Sequence, residues 1–113
     1  MQIITTTLSL NDLKKMAADT FGDIVKAVVD IDRELIAVDA ELHADLEARL
    51  LEDGSQQEHL WGINLYPEAS GEEFIEFDSM INVRPSQGNR SRGVGNEAIR
   101  KTIIHVVGKR IAR

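Results

Sequence analysis

The apolar positions of this chain switch between helical and extended spacing. Leu10, Leu13, Met16, Ala17 and Phe21 recur at intervals of three and four, one face of an amphipathic helix. Ser9 stands at the N-cap position with Asp12 three residues on, and Leu8 and Leu13 bracket the cap as a hydrophobic staple. Gly22 can close the segment, so a first helix is expected over residues 10–21. Gln2 to Thr6 carries no decisive pattern. Ile24 to Ile31 and Leu35 to Val38 are rich in Val and Ile around the charged turn Asp32, Arg33 and Glu34, which reads as a hairpin. Both strands are apolar at consecutive positions, as strands covered on both faces are. In so short a chain a second subunit is the expected second cover, hence a homodimer.

A second helix is expected over 41–53, with Leu42, Leu46, Leu50 and Leu51 as its stripe and Gly54 as its stop. Leu60 to Tyr66 and Glu73 to Val83 then read as a second hairpin around Pro67 to Glu72. In its last strand Ile75, Phe77, Ile81 and Val83 share one side, with Ser79 as a polar break. Glu76, Asp78, Met80, Asn82 and Arg84 share the other. Trp61 has the phase of Ile63 and Leu65, which points to the core or a subunit interface. Asn96 is a sound N-cap for a third helix with Ile99, Ile103, Val106, Val107 and Ile111 on one face. The expected fold is α+β, one domain over residues 1–113. It is an antiparallel four-stranded sheet made of two hairpins, with three helices in the order α-ββ-α-ββ-α, packed on one face.

Charge sharpens this picture. Residues 1–83 carry 18 acids and 5 Lys or Arg, net −13, whereas residues 84–113 carry one acid and 8 Lys or Arg, net +7. Such a split suggests a basic face on an acidic body. Its plainest cause is a basic C-terminal helix lying beside acidic segments of its own chain or of a partner. Without cysteine, a disulfide framework, a thiolate metal site and a cysteine nucleophile are excluded. The N-terminus has no signal-peptide pattern, and no apolar run approaches the roughly 20 residues that span a bilayer. The chain reads as cytoplasmic, with no membrane partner.

The stretch from Asn82 to Asn96 concentrates the candidate chemistry. Arg84, Arg90 and Arg92 stand in it without an acid, followed by Gly93 and Gly95 and then the start of the third helix. Arginines and free amides ahead of a helix are raw material for an anion site, so Arg84, Asn89, Arg90, Arg92, Gly93 and Gly95 are the candidate ligands of a phosphate or carboxylate. The spacing fits neither the phosphate loop nor the dinucleotide fingerprint. A second cluster is the polar row Glu76, Asp78, Asn82 and Arg84, which Asn64 and Tyr66 of the neighbouring strand could join. Glu76 and Asp78 are the weak candidates for a metal, beside a phosphoester clamped by the arginines. A restriction-type nuclease core would want a lysine two residues past the second acid, where Met80 stands. His43 and Glu47 share a helix face but lack further ligands for zinc. Surface or capping roles are expected for His43, His59 and His105. Aromatics are only 4% of the chain and absent from the basic loop, so nucleic-acid binding is not expected.

The segments Phe21 to Asp30, Glu41 to Asp45, Leu60 to Pro67 and Phe77 to Arg92 resemble a small prokaryotic family catalogued as a domain of unknown function. The resemblance implies a stand-alone single-domain protein and brings no activity, cofactor or partner with it. The residues themselves favour a non-enzymatic binding or interaction module with an anion site in the 84–96 loop. Metal-assisted phosphoester chemistry and a purely structural homo-oligomer are the alternatives; no cofactor is expected.

Overall fold

The computed structural model describes all 113 residues. Strand β1 (Gln2–Ile4) opens the chain, followed by the two-residue β2 (Leu8–Ser9) and helix α1 (Leu10–Asp19). Strands β3 (Val25–Asp30) and β4 (Leu35–Val38) form the first hairpin, then helix α2 (His43–Glu52), strand β5 (Leu60–Leu65) and the two-residue β6 (Ile75–Glu76). Helix α3 (Glu97–Arg110) and β7 (Ile111–Ala112) close it. The architecture is α+β with three helices, as the periodicity implies. The main sheet has five strands rather than four, in the order β1-β4-β3-β5-β6, with every pair antiparallel. The extra strand is β1, which adds to the outer edge of β4. Separately, β2 and β7 pair in parallel and tie the two ends of the chain together.

Local signals hold where they are strongest. Ser9 Oγ accepts the Asp12 amide at 3.1 Å, and Asn96 Oδ1 accepts the Ile99 amide at 3.1 Å, so both N-caps act as their residue types dictate. The Gly22 amide bonds back to the Ala17 carbonyl at φ +99°, a conformation open to glycine at no steric cost. The β3–β4 turn is fixed by Asp30, which is fully buried. Its Oδ1 accepts the amides of Asp32 and Arg33, and its Oδ2 accepts the Ser55 hydroxyl. At the far side of the same turn Glu34 receives Lys109 Nζ at 3.0 Å, while Arg110 donates to the Glu34 and Thr6 carbonyls. These contacts dock the C-terminal end of α3.

The expectation of helices on one face is corrected. Helices α1 and α3 cover one face, where Leu13, Met16, Ile103, Val106 and Val107 pack on Val25, Ala27, Val29, Ile36, Val38, Trp61, Ile63 and Leu65. Helix α2 covers the other, with Leu46 and Leu50 on Val28, Leu35, Ala37 and Leu60. Consecutive apolar residues in β3 and β4 are thus buried within one chain, and no second subunit is needed to cover the sheet. The stripe of α2 is also rotated from the expected one. Leu42 and Leu51 are exposed, and His43 faces inward with Leu46 and Leu50. Leu46 and Leu50, four apart, belong to either set, and His43 supplies the polar atom that the sheet side can use.

The second hairpin departs most. Strand pairing ends after Glu76, and residues 77–89 form short turns instead of the expected strand to Val83. A Cβ on Gly62 would lie 2.5 Å from Ser79 Cβ, so the chain crosses directly over this glycine of β5. Ser79 caps a single 3-10 turn, Met80–Asn82, and Pro85 has no amide to give a ladder. The alternation of residue types does not become an alternation of burial: Ser79 and Asn82 are buried, while Phe77, Ile81 and Val83 are half-buried.

Candidate functional site

Losing its partner strand leaves the edge of β5 from Leu60 to Ile63 without a backbone neighbour. Side chains from the Asn82–Asn96 stretch replace it. The Gly62 amide donates to Asn82 Oδ1 at 2.8 Å, and Asn82 Nδ2 donates to the Gly62 carbonyl at 2.9 Å. One carboxamide thereby mimics one residue of a strand. Arg84 continues the row: its guanidinium donates to the carbonyls of Leu60 and, at 2.6 Å, Gln57, and stacks 4.0 Å from the Trp61 ring. Burial pulls the Arg84 pKa below its ordinary value, with Glu47 opposing the shift. Asn89 is the hub of the loop. Its Nδ2 lies within hydrogen-bond reach of the Asn82, Ser91 and Gly93 carbonyls, and its Oδ1 accepts the Gly95 amide at 3.0 Å. Arg84 and Asn89 also form a β-bridge that closes over Gly88 at φ +79°.

Of the six residues singled out for an anion, three are therefore engaged inside the fold. Arg84, Asn89 and the Gly95 amide all bond to the protein itself. Arg92 is exposed and donates through Nε to Asp78 Oδ1 at 2.7 Å, while its terminal nitrogens make no hydrogen bond within the chain. Arg90 is exposed and pairs with no carboxylate, and a Cβ added to Gly93 would come within 3.3 Å of the Phe77 carbonyl.

The polar row assembles in part. Asn64 Nδ2 donates to Glu76 Oε1 at 2.8 Å, and the Tyr66 hydroxyl donates to the same oxygen at 3.1 Å. Partial desolvation and then this carboxylate raise the Tyr66 pKa. Asp78 is held by Arg92. Asn82 and Arg84 do not join the row, because they turn toward the β5 edge. No three His, Asp or Glu side chains converge as a metal-ligand set. His43, expected at the surface, is buried, with Nε2 2.8 Å from the Ile63 carbonyl. That contact makes Nε2 the protonated nitrogen of a neutral ring. Desolvation holds its pKa below the ordinary value, outweighing the pull of the carbonyl. Asparagines as strand substitutes could have been suspected from Asn82 and Asn89 flanking Arg84, Pro85 and Gly88. Nothing in the sequence marks which edge they cover.

The pairing of charges bears on the basic segment, residues 84–113. Arg92, Lys101 and Lys109 meet carboxylates, and only Arg92 and Lys109 meet those of the acidic body. Arg84 and Arg110 bond to backbone carbonyls. Arg90, Arg100 and Arg113 meet none, so self-neutralisation accounts for only part of the charge split.

Residues 2–110 match the sequence model of a family described as a protein of unknown function, DUF5674. The chain belongs to this family. The match covers both hairpin segments, the Asn82–Asn96 stretch and all three helices. No curated protein matches the chain, and no solved structure matches it. No helix is long and apolar enough to cross a membrane.

Proposed function

We propose that this DUF5674 protein is a non-enzymatic binding module that takes a small anion, phosphate or carboxylate, on the outer surface of the 84–96 loop. Arg90 and Arg92 are its ligands in this reading. Arg84 and Asn89 hold the loop in shape beneath them. The observation that carries the reading is that Arg90 has no carboxylate partner while Asn82, Arg84 and Asn89 knit the loop that displays it. A loop fixed by buried amides presents its guanidinium groups with less ordering entropy to lose on binding than a mobile connector would. Metal-assisted phosphoester chemistry at Glu76 and Asp78 has less support, since Asn64, Tyr66 and Arg92 already hold those carboxylates.

Phosphate titration followed by calorimetry tests the reading. Arg90→Ala should abolish the binding heat, and Asp78→Asn should strengthen it by removing the anion that competes for Arg92. Equal affinity in wild type and Arg90→Ala would sink the proposal.

A further inference from the structure

A second place in the molecule combines free cations with exposed apolar surface. Between the edge of β6 and the outer face of α3 lies an open groove of about 580 Å³. Ile75, Phe77 and Ile104 line it together with Arg100, Arg113 and Glu72. Ile104 is 51% exposed on a helix whose other isoleucines and valines turn toward the core, and it lies one turn from Arg100. The Arg100 guanidinium is 4.9 Å from the centre of the Phe77 ring, and that of Arg113 is 4.1 Å from the centre of the Phe74 ring. Neither guanidinium meets a carboxylate.

We infer that this groove binds an amphiphilic carboxylate, a single carboxyl group on an aliphatic body. Stacking fixes a guanidinium by its face and leaves its N–H edge free for the two oxygens of a carboxylate. The apolar lining is Ile75, Phe77 and Ile104, so the body of the ligand buries the exposed Ile104 and the open part of the half-buried Ile75. The volume falls within the range of small-molecule sites, about 300–1,000 Å³. Glu72 decides between anions: its charge in the lining opposes a phosphate dianion more than a carboxylate monoanion. The site shares no residue with the Arg90 and Arg92 surface and does not depend on it.

The test is an NMR titration of the whole chain with octanoate, with octanol and inorganic phosphate run in parallel. Octanoate should bind saturably and shift the amides of 100–104 and 75–77. Arg100→Ala and Arg113→Ala should each weaken it about tenfold or more, the usual effect of losing a charge-assisted hydrogen bond. Ile104→Ser should weaken it as well, while Arg90→Ala leaves it unchanged. All of these side chains are exposed, so the variants keep the fold, which the near-ultraviolet signal of Trp61 monitors. Octanol binding as tightly as octanoate, or octanoate affinity unchanged in Arg100→Ala and Arg113→Ala, overturns the proposal. So does phosphate displacing octanoate, or a wild-type dimer that Ile104→Glu dissociates, which would seat a second copy in the groove.

Discussion

The two edges of β3 and β5 solve the same problem in different ways. On one side β3 pairs with β4 through backbone groups, and the register follows from four residues of turn between Asp30 and Leu35. On the other, the outer edge of β5, away from β3, has a strand partner only at Asn64 and Leu65. Between Leu60 and Gly62 its groups meet the side chains of Asn82 and Arg84 instead. A backbone ladder tolerates many sequences, because every residue but proline carries the same amide and carbonyl. A side-chain ladder does not. It needs a carboxamide at Asn82, a guanidinium at Arg84 and a second carboxamide at Asn89, each at one position.

That difference gives the largest expected effect. Asn89→Ala removes a buried hub and leaves three carbonyls and one amide short of a partner, so it should destabilise the protein by about 3 kcal/mol in urea unfolding. Asn82→Ala should cost nearly as much, since the Gly62 amide and carbonyl lose their only side-chain partners. In both variants hydrogen exchange should quicken first at Gly62 and across 79–95. If exchange rises uniformly instead, the loop is not a separate stabilising unit. Conservative hydrophobic changes on the outer side of β4 should leave the 79–95 amides as slow as before.

Steric closeness at the same edge comes next. Gly62→Ala would place a methyl group 2.5 Å from Ser79 Cβ, a backbone-proximal atom that cannot swing aside. Overpacking of this kind costs about 1–3 kcal/mol, and Gly62→Ala belongs toward the upper end. Ser79→Gly in the same chain should recover part of the loss. A double variant no more stable than Gly62→Ala alone would show that the strain lies elsewhere.

The contrast also explains how much was legible in the sequence. Helix starts at Ser9 and Asn96, the first hairpin, the apolar face of α3 and that of α1 as far as Ala17 come from short-range rules, which one window of sequence contains; Phe21, expected on that face, lies past the end of α1 at Asp19 and is 45% exposed. Three features were misread or missed because they depend on distant partners. Helix α2 lies on the second face because Leu46 and Leu50 meet Val28 and Leu60, a pairing that no spacing reveals. The Phe77–Val83 alternation reads equally as strand or as turns until Gly62 is known to sit beneath Ser79. Arg84 reads as a side chain free for a ligand until the carbonyls of Gln57 and Leu60 are seen beside it. Arginine was recognisable by type, whereas its partners were not.

A smaller effect separates the two faces of the sheet by pH. His43 lies on the α2 side, and burial holds its pKa below 6.5 in the folded chain. The unfolded chain therefore binds the proton more readily, so folding stability should be complete above about pH 6.5 and fall as pH drops toward the lower folded value. His43→Gln keeps a donor for the Ile63 carbonyl and has no proton to gain. Its unfolding midpoint should change less between pH 7 and pH 5 than that of the wild type. Equal slopes would show that His43 takes up its proton without cost, against its burial.

The smallest expected effect is the one that fixes the orientation of α2. The leucine pattern alone places Leu42 and Leu51 inward, but Leu51 is 40% exposed and the inward row is His43, Leu46 and Leu50. Leu51→Gln should change the urea midpoint by no more than about 0.5 kcal/mol of stability, the usual range for surface positions. Gln keeps comparable helix propensity, so propensity does not mask the result. A loss of several times that size would return Leu51 to a buried surface. The only apolar surface then available to it would belong to a second copy of the chain. A neutral result leaves that face covered by α2 with the Ser79–Asn82 turn beside it, and both sides of the sheet completed by side chains of one chain.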